Sequence, residues 1–127
     1  MANELSDKKK WKAGSNLGKA QARATLGKPY EAIKYFDKAL SIEPDMEVVW
    51  CEKSMCLAEI GRIDEAIECL DKALSIDPNS LPAWTNKGSC FGMLGRYREA
   101  LECYDNAISI DPFSQVDVGY CVECPAA

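Results

Sequence analysis

The sequence predicts an all-α fold, a solenoid of three antiparallel helix–turn–helix repeats with six main helices. Three observations carry the prediction. The stretch EAIKYFDKALSIEP at Glu31–Pro44 returns as EAIECLDKALSIDP at Glu65–Pro78 and as EALECYDNAISIDP at Glu99–Pro112, each time 34 residues on. A fixed period of that length is the mark of stacked supersecondary units. Within each copy, small and bulky apolar residues fall four and then three positions apart (Ala32, Phe36, Ala39; Ala66, Leu70, Ala73; Ala100, Tyr104, Ala107), which is the spacing of one helical face. Glycine and proline punctuate each copy at the same places: Gly27, Gly61 and Gly95, then Pro44, Pro78 and Pro112.

Residues 1–12 read as the start and cap of a first helix, and Lys8, Lys9, Lys10 and Lys12 as its solvated face. The repeats follow as 13–46, 47–80 and 81–114, with a tail at 115–127. In each repeat the first helix closes at the glycine, which takes the left-handed conformation that costs a residue without Cβ least. An apolar residue precedes it (Leu26, Ile60, Leu94). A basic residue follows it (Lys28, Arg62, Arg96), placed for the negative end of the helix dipole. Pro29 suits a first helical turn, and the prolines at 44, 78 and 112 stop the second helices. A single hairpin of this kind cannot bury its apolar face, whereas three stacked copies share one core.

The 127 residues suffice for one ordinary domain. At 47% hydrophobic and 28% charged residues the composition is that of a globular protein. The net charge of −5 and the absence of a basic stripe argue against nucleic acid as partner. No apolar run nears the roughly 20 residues of a membrane span, and MANELSDKKKWKAGSN has no apolar core of a secretory signal. The odd count of seven cysteines favours reduced thiols and a cytoplasmic location. Four of them, Cys56, Cys90, Cys69 and Cys103, belong to the repeat and read as small apolar filler.

Catalytic signals are missing. The chain has no histidine, which removes nucleophile–histidine pairs and most zinc catalysis. Gly27-Lys28 runs into Pro29 and fails as a phosphate loop. Acid pairs such as Asp64-Glu65 sit at helix starts, where the dipole favours them. Cys121 and Cys124 form a lone CxxC, half the ligand set of a structural zinc site. The expectation is therefore no enzyme, no catalytic residue, no metal and no cofactor.

A helical hairpin of 34 residues with Trp50 or Trp84 early, a central glycine, then alanine, an aromatic residue or leucine, alanine and proline resembles the tetratricopeptide repeat. The third unit, AWTNKGSCFGMLGRYREALECYDNAISIDP, resembles the repeats of archaeal and bacterial proteins. The first unit departs from the pattern. Asn16 stands in place of the tryptophan, Arg23 in place of Leu57 and Phe91, and Trp11 comes five residues early; aligning Gly18 with Gly88 instead would need two extra residues. The resemblance implies a right-handed α-solenoid whose first helices line a concave groove for an extended peptide or a partner helix.

On a helical wheel, Trp50, Ser54, Leu57 and Gly61 share a side that Trp84, Gly88, Phe91 and Gly95 match in the next unit. Val48, Glu52, Met55 and Glu59 lie nearly opposite, and Pro82, Asn86, Ser89 and Met93 replace them with little retained. Carried over by position, the resemblance makes Gln21, Thr25, Glu52, Met55, Glu59, Asn86, Ser89 and Met93 the groove candidates. One subgroup of the family grips chaperone C-termini with basic and asparagine side chains. Here Glu52, Pro82, Leu17 and Gln21 occupy such places and only Asn86 fits, so that clamp is not expected. Lys19, Lys53 and Lys87, also 34 apart, read as a solvated ladder toward the groove's edge.

The expected function is a non-catalytic adaptor or scaffold that offers its groove to a peptide segment. The alternatives are a structural protein that self-associates through its C-terminal end and, remotely, a thiol redox or metal protein using Cys121 and Cys124. The tail FSQVDVGYCVECPAA, broken by Gly119 and Pro125, is too short for a full amphipathic helix. Either it folds back over Leu101, Tyr104 and Ile108 or two molecules pair there as a homodimer.

Overall fold

The computed structural model describes residues 2–111. Six helices are present among them: α1 (Ala2–Thr25), α2 (Pro29–Ile42), α3 (Glu47–Glu59), α4 (Ile63–Ile76), α5 (Leu81–Met93) and α6 (Tyr97–Ile110). Each odd-numbered helix packs against the even-numbered helix that follows it, and each hairpin packs on the next through α2–α3 and α4–α5. The molecule is an all-α helical-repeat fold. α1 runs unbroken from Ala2 through residues 12 and 13 to Thr25. Pro112 and the tail, with Cys121 and Cys124 and both expected outcomes for that end, lie outside the described residues.

The hairpin turns are built alike. Gly27, Gly61 and Gly95 adopt φ of 75°, 84° and 77°, so the last turn can close twice. At the second turn Gly61 N–H donates to Ala58 O at 3.1 Å and Arg62 N–H to Leu57 O at 2.9 Å, and the first and third turns repeat both bonds. This paired closure satisfies two of the carbonyls that a helix end leaves open. Lys28, Arg62 and Arg96 then begin the next helix, and their side chains turn to Glu31, Glu65 and Glu99 in its first turn. The expected dipole contact with the preceding helix gives way to an exposed ion pair three residues on.

The core repeats with the sequence. Ala32, Phe36 and Ala39, Ala66, Leu70 and Ala73, and Ala107 are sealed from solvent, and Ala100 is nearly so. Opposite them stand Ala20, Ser54 and Gly88, all buried. That trio settles the register of the first unit: Ala20 takes the place of Gly88 with no insertion, and Gly18 is exposed. The need for a small residue is plainest at Gly88, where an added Cβ would lie 2.9 Å from Cε1 of Tyr104. Arg23, in place of Leu57 and Phe91, stays half-buried with its guanidinium 5.1 Å from the Tyr35 ring centre. The substitution keeps stacking contact while leaving this end of the array wettable.

The seams between hairpins are also repeated. Trp50 Nε1–H donates to Pro44 O at 2.8 Å and Trp84 Nε1–H to Pro78 O at 2.9 Å. Lys53 Nζ reaches Asp37 at 2.5 Å and Lys87 Nζ reaches Asp71 at 2.6 Å. Each ammonium also lies about 5.5 Å from the ring centre of its own helix's tryptophan. For Lys53 and Lys87 this corrects the reading as a solvated ladder at the groove's edge: they are mostly buried cross-helix partners, because the preceding helix presents an aspartate to each. Lys19 is exposed, with its ammonium 5.9 Å from the Tyr35 ring centre.

Candidate functional site

α1, α3 and α5 lie side by side, and the residues that face away from α2, α4 and α6 form one continuous strip. Its centre is a recess of about 250 Å³ between α3 and α5. Met55, Glu59, Asn86, Ser89 and Met93 line it, over a floor of Ser54, Ala58 and Cys90. A second recess of about 220 Å³ sits between α1 and α3, with Thr25, Glu52, Met55 and Glu59 among its lining residues and Phe36 and Cys56 beneath. Gln21 joins this edge by donating from Nε2 to both carboxylate oxygens of Glu52 at 3.1 Å. The structure thus brings all eight candidate residues to one strip, with Met55 and Glu59 shared by the two recesses.

The local sequence explains the arrangement. Residues 52, 55 and 59 are spaced three and four apart on α3, as are 86, 89 and 93 on α5, so each set stands in a column. Small residues between the columns, Ser54, Ala58 and Cys90, keep the two helices close and make the recess shallow. Ser54 is kept inside by donating its hydroxyl to Cys51 O at 2.6 Å. Ser89 is held by a 3.2 Å hydrogen bond with the Tyr104 hydroxyl of α6. Glu47 ties the base of α3 to the start of α5: its carboxylate accepts from Ser80, the residue that caps α5. The floor residues were not singled out from sequence because their burial placed them with the core; smallness at 54, 58 and 90 was the available signal.

Two methionines give the strip its apolar character. Met55 and Met93 are 53% and 62% exposed, unusual for side chains this apolar, and both flank the central recess. No basic residue lines either recess, whereas Glu52 and Glu59 do. A recess of this volume accommodates a side chain of a chain lying along the strip, below the roughly 300–1,000 Å³ typical of small-molecule pockets.

Burial disfavours the thiolate form of the described cysteines. Burial pushes Cys56 up to about 11, and the negative charges of Glu59 and Glu52 raise it further toward that value. Cys51 is pushed up to about 12, chiefly by burial and then by Glu47. Burial likewise takes Cys69 up to about 11. Thiols held protonated at neutral pH are poor nucleophiles and metal ligands. The five described cysteines are free and buried, consistent with filler. Among the described residues no group of three or more side chains could hold a metal ion, and no helix is long and apolar enough to cross a membrane.

Residues 23–87 match one family model and residues 82–114 another, both described as tetratricopeptide repeat. No curated protein sequence matches the chain. Among solved structures, it resembles the second tetratricopeptide domain of Spaghetti (RPAP3) bound to the HSP90 peptide SRMEEVD, at 18% identity and a TM-score of 0.79, covering 85% of this chain and 99% of that one. The Arabidopsis OM64 domain matches at 19% identity and a TM-score of 0.78, over 82% and 86% of the two chains. YrrB, described as having an unusual peptide-binding site, matches at 28% identity and a TM-score of 0.70, over 73% of this chain and 48% of that one.

Proposed function

Because the chain belongs to the tetratricopeptide repeat family, we propose that it is a non-catalytic interaction module, an adaptor or scaffold that offers the strip of α1, α3 and α5 to a peptide segment of a partner protein. One observation carries this reading: two exposed methionines flank a recess floored by small residues. Flexible thioethers adapt to varied apolar side chains, and the framework has no use for them at these positions. The cytoplasm fits a chain with five buried free thiols.

Charge narrows the ligand. Glu52 and Glu59 stand on the strip with no basic residue among the lining side chains, so a carboxylate-rich segment is repelled and a neutral, apolar or basic one is favoured. The RPAP3 neighbour holds SRMEEVD; a segment that acidic is unsuited to this strip. Titrating the full chain with a leucine- and lysine-containing peptide and with SRMEEVD tests the reading. Only the first should bind, and Glu52→Lys with Glu59→Lys should weaken it about tenfold or more while helicity is unchanged. An affinity indifferent to both changes together would move the site off this strip. Dilution separates this reading from a purely self-associating structural protein, since a module keeps its partner when dilute.

A further inference from the structure

Asp37, Asp71 and Asp105 recur 34 residues apart on α2, α4 and α6. The first two ion-pair with Lys53 of α3 and Lys87 of α5. Asp105 is exposed and has no ion-pair partner among the described residues. The apolar residues beside these aspartates follow the same pattern. Ile33 packs against the cluster of Trp50 and Leu57, and Ile67 against Trp84 and Phe91. Their counterpart Leu101 is 62% exposed. Tyr97 is 68% exposed on the same face, and Ile108 39%, where Leu40 in the first unit is only 6% exposed. One slot therefore occurs three times, is filled twice among the described residues, and shows in its filled copies what fills it.

We propose that the outer face of α6 is a docking site for an amphipathic helix of a partner protein, one bearing an aromatic residue, a lysine three positions later and a leucine or phenylalanine four beyond that. Trp50, Lys53 and Leu57 have this spacing, as do Trp84, Lys87 and Phe91. The aromatic ring covers the apolar residues, and the lysine supplies the charge for Asp105. Residues 112–127 contain no lysine, arginine or tryptophan, so they lack the tryptophan and the lysine that fill the other two slots. A second copy docking through α1 would offer Asn16, Lys19 and Arg23 at the three places. The lysine fits, but a guanidinium would face Leu101, and Arg23 is already stacked on Tyr35. This surface is separate from the strip of α1, α3 and α5.

The probe is a synthetic peptide of residues 80–94 with Cys90→Ser, followed by its tryptophan fluorescence on the full chain under reducing conditions. Saturable binding is expected. Asp105→Lys in the protein, or Lys87→Glu in the peptide, should each weaken it about tenfold or more, and the two together should recover much of the loss. Leu101→Asp should abolish it. Both protein substitutions are at exposed positions, so folding is not at stake. Glu52→Lys with Glu59→Lys removes any binding of this leucine- and lysine-containing peptide to the strip and should leave the Asp105-dependent binding unchanged. Absence of saturable binding, or binding indifferent to Asp105→Lys, overturns the proposal. A dimer in sedimentation that Leu101→Asp dissociates overturns it in favour of a second copy. Binding that emerges only with Val116→Asp and Val118→Asp overturns it in favour of the tail.

Discussion

The two sides of α3 and α5 follow different rules. On the seam side each helix makes the same contacts in both units: tryptophan to the carbonyl of the preceding proline, lysine to the aspartate of the preceding helix, with distances agreeing within 0.1 Å between units. On the open side the corresponding residues are Glu52 and Asn86, Met55 and Ser89, Glu59 and Met93, each pair differing in charge or in size. The seam residues recur because each must fit another part of the same chain, and those parts recur too. On the open side Glu52 accepts from Gln21 and Ser89 bonds Tyr104, and neither contact recurs in the other unit. The repeated chemistry therefore belongs to stability, and the unrepeated chemistry is where a function outside the chain has room to act.

The comparison is broken most severely by emptying the packed side. Phe36 is fully buried between hairpins and lies beneath the recess of α1 and α3. Phe36→Ala should cost about 3–5 kcal/mol, read as a lower urea midpoint. Overfilling should cost less. Ala66 is sealed from solvent at the heart of the second unit, and Ala66→Leu should destabilise by about 1–3 kcal/mol, because neighbours must leave their preferred rotamers. A neutral Ala66→Leu would mean that the alanine column does not set the distance between helices.

The seam ion pairs come next. Lys53 is 18% exposed but Asp37 is 53% exposed, so water screens the pair and receives the aspartate if the lysine is lost. Lys53→Met, which keeps the packing against Trp50, should cost only about 0.5–1 kcal/mol by urea denaturation. A loss above about 3 kcal/mol would show a desolvated pair and would make the seam lysines structural anchors.

How far the sequence could be read depended on whether the partner of a residue also repeats. The helices, turns and alanine columns were legible because Gly61, Ala66, Leu70 and Pro78 have counterparts at fixed spacing and each has one physical reason to be there. The strip was legible as a place, since helical periodicity puts residues 52, 55 and 59 in a column, but its recess was not, because that depends on how closely α3 and α5 approach over Ser54, Ala58 and Cys90. The partners of Lys53 and Lys87 were hidden for a related reason. A wheel gives the angle of Lys53 on α3 but not the aspartate that α2 brings to it. In the first unit the sequence allows two registers, and the burial of Ala20 with the exposure of Gly18 selects one.

The smallest expected effect sharpens the comparison. If the open side of α5 answers to nothing inside the chain, its residues can be exchanged for those of α3 without disturbing the fold. Asn86→Glu with Met93→Glu gives the third unit the carboxylates that the second carries at 52 and 59. Asn86 is half-buried, Met93 exposed, and neither makes a side-chain hydrogen bond among the described residues; Ser89, which bonds Tyr104, is left in place. Stability should change by no more than about 0.5 kcal/mol for each substitution, the ordinary range for surface changes. Acidic peptide should be excluded more strongly and a lysine-rich one held more tightly, with the gain shrinking as salt screens the added charge. Urea midpoints and peptide titrations on the same preparation read both quantities. A fall in stability near that of Ala66→Leu would show that the open side is part of the framework after all, and the division between the two faces would fail.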